Sequence, residues 1–258
     1  MSRFFLALTL AASSATAQAP ATSKTYESVD AVLWTQTSAE YQASTRQVYV
    51  AARAALDRAL ATPSWVATLE GGSYIDPRPM VPAVILDLDE TVLDNSAYRA
   101  QLAKAGKHFT LESWNAWVAE GRAGLVPGAR EFLLYARMRG VWVHYVTNRD
   151  CKADDADPTR KNINALGVPG ILHCRTDTSD KSPRRNSLVA QYRVLLLIGD
   201  DLNDFVTAAT TPEARQKQME QYGALFGDRW FILPNAMYGS WDRFYGDDLA
   251  KKLAALKP

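Results

Sequence analysis

Residues 83–91 read AVILDLDET, an apolar run that ends abruptly in acidic residues. A continuous apolar run of this length is typical of a strand buried on both faces of a parallel sheet. In such sheets ligands bind beyond the carboxyl ends of the strands. The stretch therefore predicts the first strand of an α/β fold, with Asp87 and Asp89 at the ligand-binding edge.

Four further apolar runs repeat the pattern downstream. They span residues 141–146, 171–172, 194–198 and 230–233, and helix-compatible segments separate them. Strands that alternate with helices indicate parallel β-α-β units. We therefore predict an α/β fold, a Rossmann-like parallel-sheet sandwich.

Three other segments complete the predicted organisation. Residues 28–60 carry apolar side chains at helical spacing without Pro or Gly, which predicts one long or two shorter helices. Residues 95–127 contain two tryptophans and few strand signals, so we expect a small helical cap, hereafter the cap segment. The predicted division is a tail and helical extension over 18–81 and a core domain over 82–258 that includes the cap segment.

The N-terminus has the organisation of a secretory signal peptide. A basic residue precedes the apolar run 4–12, and small residues follow it up to Ala17. We expect cleavage after about Ala17 and a periplasmic or secreted protein. No cysteine lies near this site, so no lipid anchor to the membrane is expected.

The charge balance excludes some classes of partner. The chain has 29 basic and 28 acidic residues and a formal net charge of +1. No overall field would draw it to a nucleic acid polymer or an anionic membrane. Small-molecule chemistry is favoured.

A second acidic cluster follows the run 194–198, at residues 199–204 (GDDLND). Carboxylates crowded at the ends of buried strands lose solvation and repel one another, so a cation is expected between them. An oxygen-rich pocket that combines Asp87, Asp89, Asp200 and Asp204 suits Mg²⁺. The alternative is that these residues cap helices and turns.

These clusters resemble the motifs of haloacid dehalogenase phosphatases. Residues 87–91 (DLDET) resemble the first motif, 147–149 (TNR) the second, Lys181 the third and 199–205 (GDDLNDF) the fourth, in the same order. More narrowly, segments 34–41 (WTQTSAEY), 93–96 (LDNS) and 233–241 (LPNAMYGSW) resemble the bacterial class C acid phosphatases and lipoprotein-type 5'-nucleotidases. The resemblance implies Mg²⁺-dependent hydrolysis of small phosphate monoesters, in particular nucleoside monophosphates.

The resemblance also assigns roles to individual residues. It implies that Asp87 attacks phosphorus to form an aspartyl-phosphate, and that Asp89 protonates the leaving group and then activates water. Thr147 and Lys181 are expected to bind the phosphoryl oxygens. The remaining assignments are the metal ligands Asp87, Asp89 (through its backbone carbonyl), Asp200 and Asp204, and the aromatic residues Trp114 and Tyr238 stacking on a nucleobase.

Some interpretations stay open. Trp114 and Tyr238 could instead serve ordinary packing, and we interpret Arg149 as a surface or salt-bridged residue rather than a phosphate contact. The fourth motif carries Asp201 and Asn203 where relatives commonly have Asn and Asp, and we expect the metal site to survive this exchange.

Cys151 and Cys174 are the only cysteines. In an oxidising compartment two cysteines permit one disulfide, and two buried thiols are the alternative. Each cysteine follows a strand end, and those strands are adjacent in the resembling fold, so we predict that a disulfide can form.

Alternative functions are a phosphotransferase, in which an alcohol replaces water, and a non-catalytic storage or binding protein. The presence of Asp87 argues against the second. A homodimer is possible.

Overall fold

The computed structural model describes residues 29–69, 80–152, 156–246 and 248–257. The predicted signal peptide, residues 1–17, lies outside these ranges. None of the helices in the described ranges has both the length and the apolar character needed to cross a membrane.

The core is a parallel five-stranded sheet with the strand order β5-β4-β1-β6-β7. The strands of this sheet are β1 (Val81–Leu86), β4 (Trp142–Val146), β5 (Ile171–His173), β6 (Tyr192–Gly199) and β7 (Trp230–Ile232). Two short strands, β2 (Leu93–Asp94) and β3 (Gly124–Leu125), form a separate antiparallel pair. The five predicted strands and the α/β fold are confirmed.

Helices cover both faces of the sheet. The α-helices of the described residues are α1 (Val29–Thr37), α2 (Ala39–Ala61), α3 (Ser96–Ala105), α4 (Leu111–Glu120), α5 (Ala129–Met138), α6 (Pro158–Ala165), α7 (Ser182–Val189), α8 (Pro212–Tyr222) and α9 (Leu249–Ala255). Val84 and Leu86 of β1 pack in a core cluster with residues of α2 and α5, whereas Ile85 packs in a second cluster with α7. This alternation places β1 at the centre of the molecule with both faces buried.

The segment 28–60 forms two helices rather than one. Ser38 adopts an extended conformation between them, and its hydroxyl accepts a hydrogen bond from the backbone N–H of Tyr41 at 3.0 Å. A serine in this position caps the second helix. Further along α2 the Tyr49 hydroxyl donates to the carbonyl of Thr91 at 2.5 Å, so the helix supports the loop after β1.

The cap segment contains α3 and α4, between β2 and β3. Trp117 of α4 is buried, lies 6.0 Å from the ring of Tyr98 in α3, and its indole N–H donates to Asn95 at 2.8 Å. These contacts fix the two helices to the loop that follows β1.

Cys151 and Cys174 form a disulfide, with Cα atoms 5.8 Å apart. Cys151 follows β4 and Cys174 follows β5, two strands that pair side by side. The predicted disulfide is confirmed.

Candidate active site

Asp87 is the first residue after β1. Its backbone N–H donates to the carbonyl of Ile198 at 3.0 Å, which continues the β1–β6 pairing to the end of the strand. The residue is 9% exposed, so its carboxylate lies at the floor of a cleft with little contact to water. Asp89 lies two residues further and faces the same cleft.

The second acidic cluster forms a tight loop after β6. The Asp204 carboxylate accepts hydrogen bonds from the backbone N–H groups of Asp200 and Asp201, at 3.1 and 2.9 Å. A Cβ added to Gly199 would lie only 2.3 Å from the Asp204 side chain, so a residue larger than glycine would displace this carboxylate. The loop thereby brings Asp200 and Asp204 back toward the end of β1.

Asp87, Asp200 and Asp204 form a compact carboxylate cluster. Each offers one oxygen, and these three atoms lie within 4.8 Å of one another. Asp200 is oriented by Thr91, whose hydroxyl donates to it at 2.9 Å, and by Asn235, whose amide donates at 2.9 Å. Asp89 is not part of this three-carboxylate group.

Lys181 inserts between two of these carboxylates. Its ammonium is buried, and it donates to Asp204 Oδ1 at 2.6 Å and also to Asp87 Oδ1. Burial works against the charged ammonium, but Asp204 and Asp87 outweigh it and raise the pKa of Lys181. The lysine therefore stays cationic and offsets part of the negative charge at Asp87.

One lysine does not neutralise the cluster. Burial raises the pKa of Asp87 to about 7; Lys181 opposes this shift, while Asp204 and Asp89 add to it. Burial, together with Asp204 and Asp87, also raises the pKa of Asp200 well above its usual range. Such shifts mark carboxylates that lack a sufficient counter-charge.

These residues fit a hard divalent cation. The donors are carboxylate oxygens only, which Mg²⁺ and similar ions prefer, and the crowded negative charge would be relieved by a cation. Asp204 already uses both oxygens, one toward Lys181 and one toward the loop N–H groups, which is the arrangement of a residue that orients the others.

Asp89 is held by a buried arginine. Arg149 Nη2 donates to Asp89 Oδ1 at 2.7 Å and Nε donates at 2.9 Å, while the amide of Asn95 donates to the same oxygen at 2.9 Å. Arg149 is 2% exposed, so the interpretation of this residue as a surface arginine is wrong, and that of a salt-bridged one is correct. The arginine fixes the side chain expected to transfer protons.

Thr147, unlike Asp87 and Asp89, is not among the described residues that line the cleft. It is fully buried, and its hydroxyl accepts from the backbone N–H of Arg149 at 3.1 Å. The described residues that line the cleft include Asn148 but not Thr147. Its expected contact with the phosphoryl group stays a prediction.

Above the carboxylates lies a cleft of about 510 Å³ with aromatic walls. Trp114 and Tyr238, both named from the sequence, line it together with Phe109. The Trp114 ring lies 5.3 Å from Tyr98 and 6.3 Å from Phe109, which holds it as part of an aromatic group. The structure thus brings the two predicted aromatic residues and the acidic residues into one cleft.

Asp201 connects the acidic loop to the segment that carries Tyr238. Its carboxylate accepts hydrogen bonds from the backbone N–H and the hydroxyl of Ser240, both at 2.6 Å, and from the N–H of Asn203 at 3.0 Å. Neither Asp201 nor Asn203 belongs to the three-carboxylate group. The exchanged positions of the fourth motif therefore shape the cleft wall.

Motif spacing alone does not identify the residues that orient the acidic groups. Asn95, Arg149 and Asn235 all donate to Asp89 or Asp200. Each lies inside a segment quoted above for its resemblance, so the signal was present in the sequence. The sequence segments do not indicate which carboxylate each of these side chains binds.

Comparisons with known proteins agree with this arrangement. The family described as "HAD superfamily, subfamily IIIB (Acid phosphatase)" matches residues 5–241. The class C acid phosphatase from Bacillus anthracis is similar in structure, with a TM-score of 0.79 and 30% sequence identity over 92% of this chain and 99% of that one. The same enzyme with tungstate bound matches with a TM-score of 0.78, again with 30% identity and coverage of 92% and 99%. The chain belongs to the acid phosphatases of subfamily IIIB in the haloacid dehalogenase superfamily and is a phosphomonoesterase of the class C type.

Proposed function

We propose that this acid phosphatase is an exported, Mg²⁺-dependent enzyme that hydrolyses nucleoside monophosphates through an aspartyl-phosphate on Asp87. The observation that carries the proposal is the buried group of Asp87, Asp200 and Asp204 with Lys181 at the floor of an aromatic cleft. The predicted signal peptide, which precedes the described residues, supports export.

In the first step a carboxylate oxygen of Asp87 attacks phosphorus, and the bond between phosphorus and the ester oxygen breaks. Asp89 gives its proton to the departing oxygen. In the second step Asp89 takes a proton from water, the water oxygen attacks phosphorus, and the bond to Asp87 breaks to release inorganic phosphate. Splitting the reaction in this way leaves Asp87 and Asp89 as they began.

Charge is the main obstacle to the first step, because an anionic nucleophile must approach an anionic ester. Lys181 touches Asp87 and is suited to offset this repulsion. Asp87, Asp200 and the backbone carbonyl of Asp89 would hold Mg²⁺, with Asp204 orienting them. Bound there, Mg²⁺ supplies a positive charge that stabilises the developing charge on the phosphoryl oxygens.

The leaving group would lie in the aromatic part of the cleft. Trp114 and Tyr238 line that part, and a base stacked on an aromatic side chain contributes about 1–3 kcal/mol with little dependence on which base it is. We propose that the cap segment, through Trp114, makes nucleoside monophosphates better substrates than sugar phosphates.

Phosphate release from a panel of esters tests the proposal. The panel contains four nucleoside monophosphates, a sugar phosphate and an aryl phosphate, each with Mg²⁺ and with a chelator. We expect activity only with Mg²⁺, and similar kcat/KM values for the nucleotides that exceed the value for the sugar phosphate. Equal rates with the chelator, or a sugar phosphate as the best substrate, would contradict it.

A further inference from the structure

Arg99 of α3 lines the cleft with its guanidinium next to two aromatic rings. Its guanidinium carbon lies 3.9 Å from the centre of the Tyr238 ring and 5.7 Å from that of Phe109. The side chain is half-buried and lines the cleft. Arg99 thus forms part of the wall expected to contact the leaving group.

Apart from these two rings, the guanidinium has no hydrogen-bond or ion-pair partner among the described residues. Its Nε is shielded from water and unpaired. Burial lowers the pKa of Arg99, whereas the charge of Glu90 works in the opposite direction. The charge of Asp242, which lines the same cleft, acts in the same direction as that of Glu90, but the two side chains form no ion pair.

This setting is suited to binding an anion. An arginine stacked on an aromatic ring uses its face for that contact and keeps its in-plane N–H donors free. Those donors match two oxygens of a carboxylate or phosphate. Arg243, exposed on the same cleft, adds a second positive charge. By comparison, the Nε and Nη2 donors of Arg149, in the same region, are already bonded to Asp89.

We propose that Arg99 determines substrate specificity by binding a second anionic group, a carboxylate or phosphate, on the leaving part of the substrate. The inference rests on the proposed placement of the reacting phosphoryl group at Asp87. It predicts that, among esters with a flat apolar leaving group, those that carry a second anion are hydrolysed with a higher kcat/KM than their neutral counterparts. A purely structural Arg99 that only holds Tyr238 would produce no such preference.

Paired aryl phosphates separate these two roles. The meta and para carboxyphenyl phosphates carry the second anion, and the matching carbamoylphenyl phosphates are neutral with nearly the same shape. We would measure kcat/KM with Mg²⁺ for the wild type, Arg99→Gln, Arg99→Lys and Arg122→Gln. Arg122 is the control because it is an exposed arginine of the cap segment that stacks over Trp117 and lies outside the described lining of the cleft.

We expect the wild type to favour the acid over the amide by about 10-fold or more for at least one isomer, as for a charge-assisted hydrogen bond. Arg99→Gln should abolish the preference, Arg99→Lys should keep part of it, and Arg122→Gln should keep all of it. The acid-to-amide ratio is taken within each variant, so a general loss of activity cancels.

Equal kcat/KM for the acid and the amide in the wild type would overturn the proposal. So would an acid-to-amide ratio of kcat/KM that is the same in Arg99→Gln as in the wild type. Unsubstituted phenyl phosphate reports separately on the proposed function, since it has no second anion. If the wild type hydrolyses none of these esters, the proposed function fails, and calorimetric binding of the acid and the amide then decides on Arg99. Equal affinities in that measurement overturn the inference.

Discussion

Arg149 donates two hydrogen bonds to one carboxylate oxygen of Asp89, from Nη2 at 2.7 Å and from Nε at 2.9 Å. The guanidinium also lies 5.4 Å from the centre of the Trp114 ring. One buried arginine therefore contacts both the proposed proton donor and the aromatic wall of the cleft. The alignment of Asp89 depends on it.

Replacing Arg149 with Met should slow hydrolysis by about 10- to 100-fold, because small displacements of a reacting group have effects of this size. The loss should be greater for an alkyl phosphate, whose leaving oxygen needs the proton from Asp89, than for nitrophenyl phosphate, which needs it little. Steady-state kinetics on both esters provide the measurement. Arg175→Met, which breaks an exposed pair with Asp150, is the control. Equal losses on the two esters would rule out the positioning role.

Trp114→Ala should raise KM for a nucleoside monophosphate by about 5- to 100-fold, the equivalent of losing one base-stacking contact. KM for a small alkyl phosphate should change little. Trp142→Ala is the matched control, because this tryptophan is exposed at the start of β4 and lies outside the described lining of the cleft. If both esters are affected equally, the tryptophan serves packing and the preference for nucleotides is refuted.

The buried His144 and its half-buried partner His173 predict a loss of stability in acid. Their rings stack with Nδ1 of His144 at 2.9 Å from Nε2 of His173, and burial together with His173 lowers the pKa of His144 to about 4. Between this value and about 6.5 the unfolded chain binds a proton that the folded protein does not, so folding loses stability as the pH falls through that range.

We expect His144→Gln to lose less stability than the wild type between pH 7 and pH 4.5, by about 1–3 kcal/mol. Urea unfolding at the two pH values measures the free energy of unfolding. His108→Gln, a change at an exposed histidine, should behave like the wild type. A pH dependence of His144→Gln identical to that of the wild type would contradict the burial of a neutral pair.

The disulfide should contribute substantially to stability. Cys151 and Cys174 are separated by 23 positions in sequence, and closing a loop of this length stabilises a protein by about 3 kcal/mol through the unfolded chain. The double variant Cys151→Ser with Cys174→Ser should show that decrease in urea unfolding. An unchanged free energy of unfolding would mean that the native contacts alone hold the loops after β4 and β5.

Most of the fold was predictable because its signals are local. The run 83–91 carries both the apolar character of a central strand and the acidic residues that follow it, and β1 ends at Leu86, directly before Asp87. The break at Ser38 was less clear, since neither Pro nor Gly marks it and only the capping hydrogen bond to Tyr41 separates α1 from α2.

The site was predictable as a set of acidic residues but not as a network. Asp87, Asp200, Asp204 and Lys181 do meet in space. The burial of Arg149 was not predictable, because its partner, Asp89, lies 60 positions away in sequence. Such pairings depend on how strands and loops are placed, which no local pattern records.

Asp87 is the residue proposed to receive the phosphoryl group. Asp87→Asn should reduce phosphate release by about 10⁴-fold or more, because the amide cannot attack phosphorus, while circular dichroism shows an intact fold. Asp57→Asn, which alters a carboxylate on α2 outside the described lining of the cleft, should retain activity.

The most direct measurement is mass spectrometry of peptides from enzyme quenched in acid during turnover. We predict a phosphate adduct on the peptide that contains Asp87 in the wild type, and none in Asp87→Asn. An adduct on a different residue, or near-normal turnover by a folded Asp87→Asn, would contradict the account.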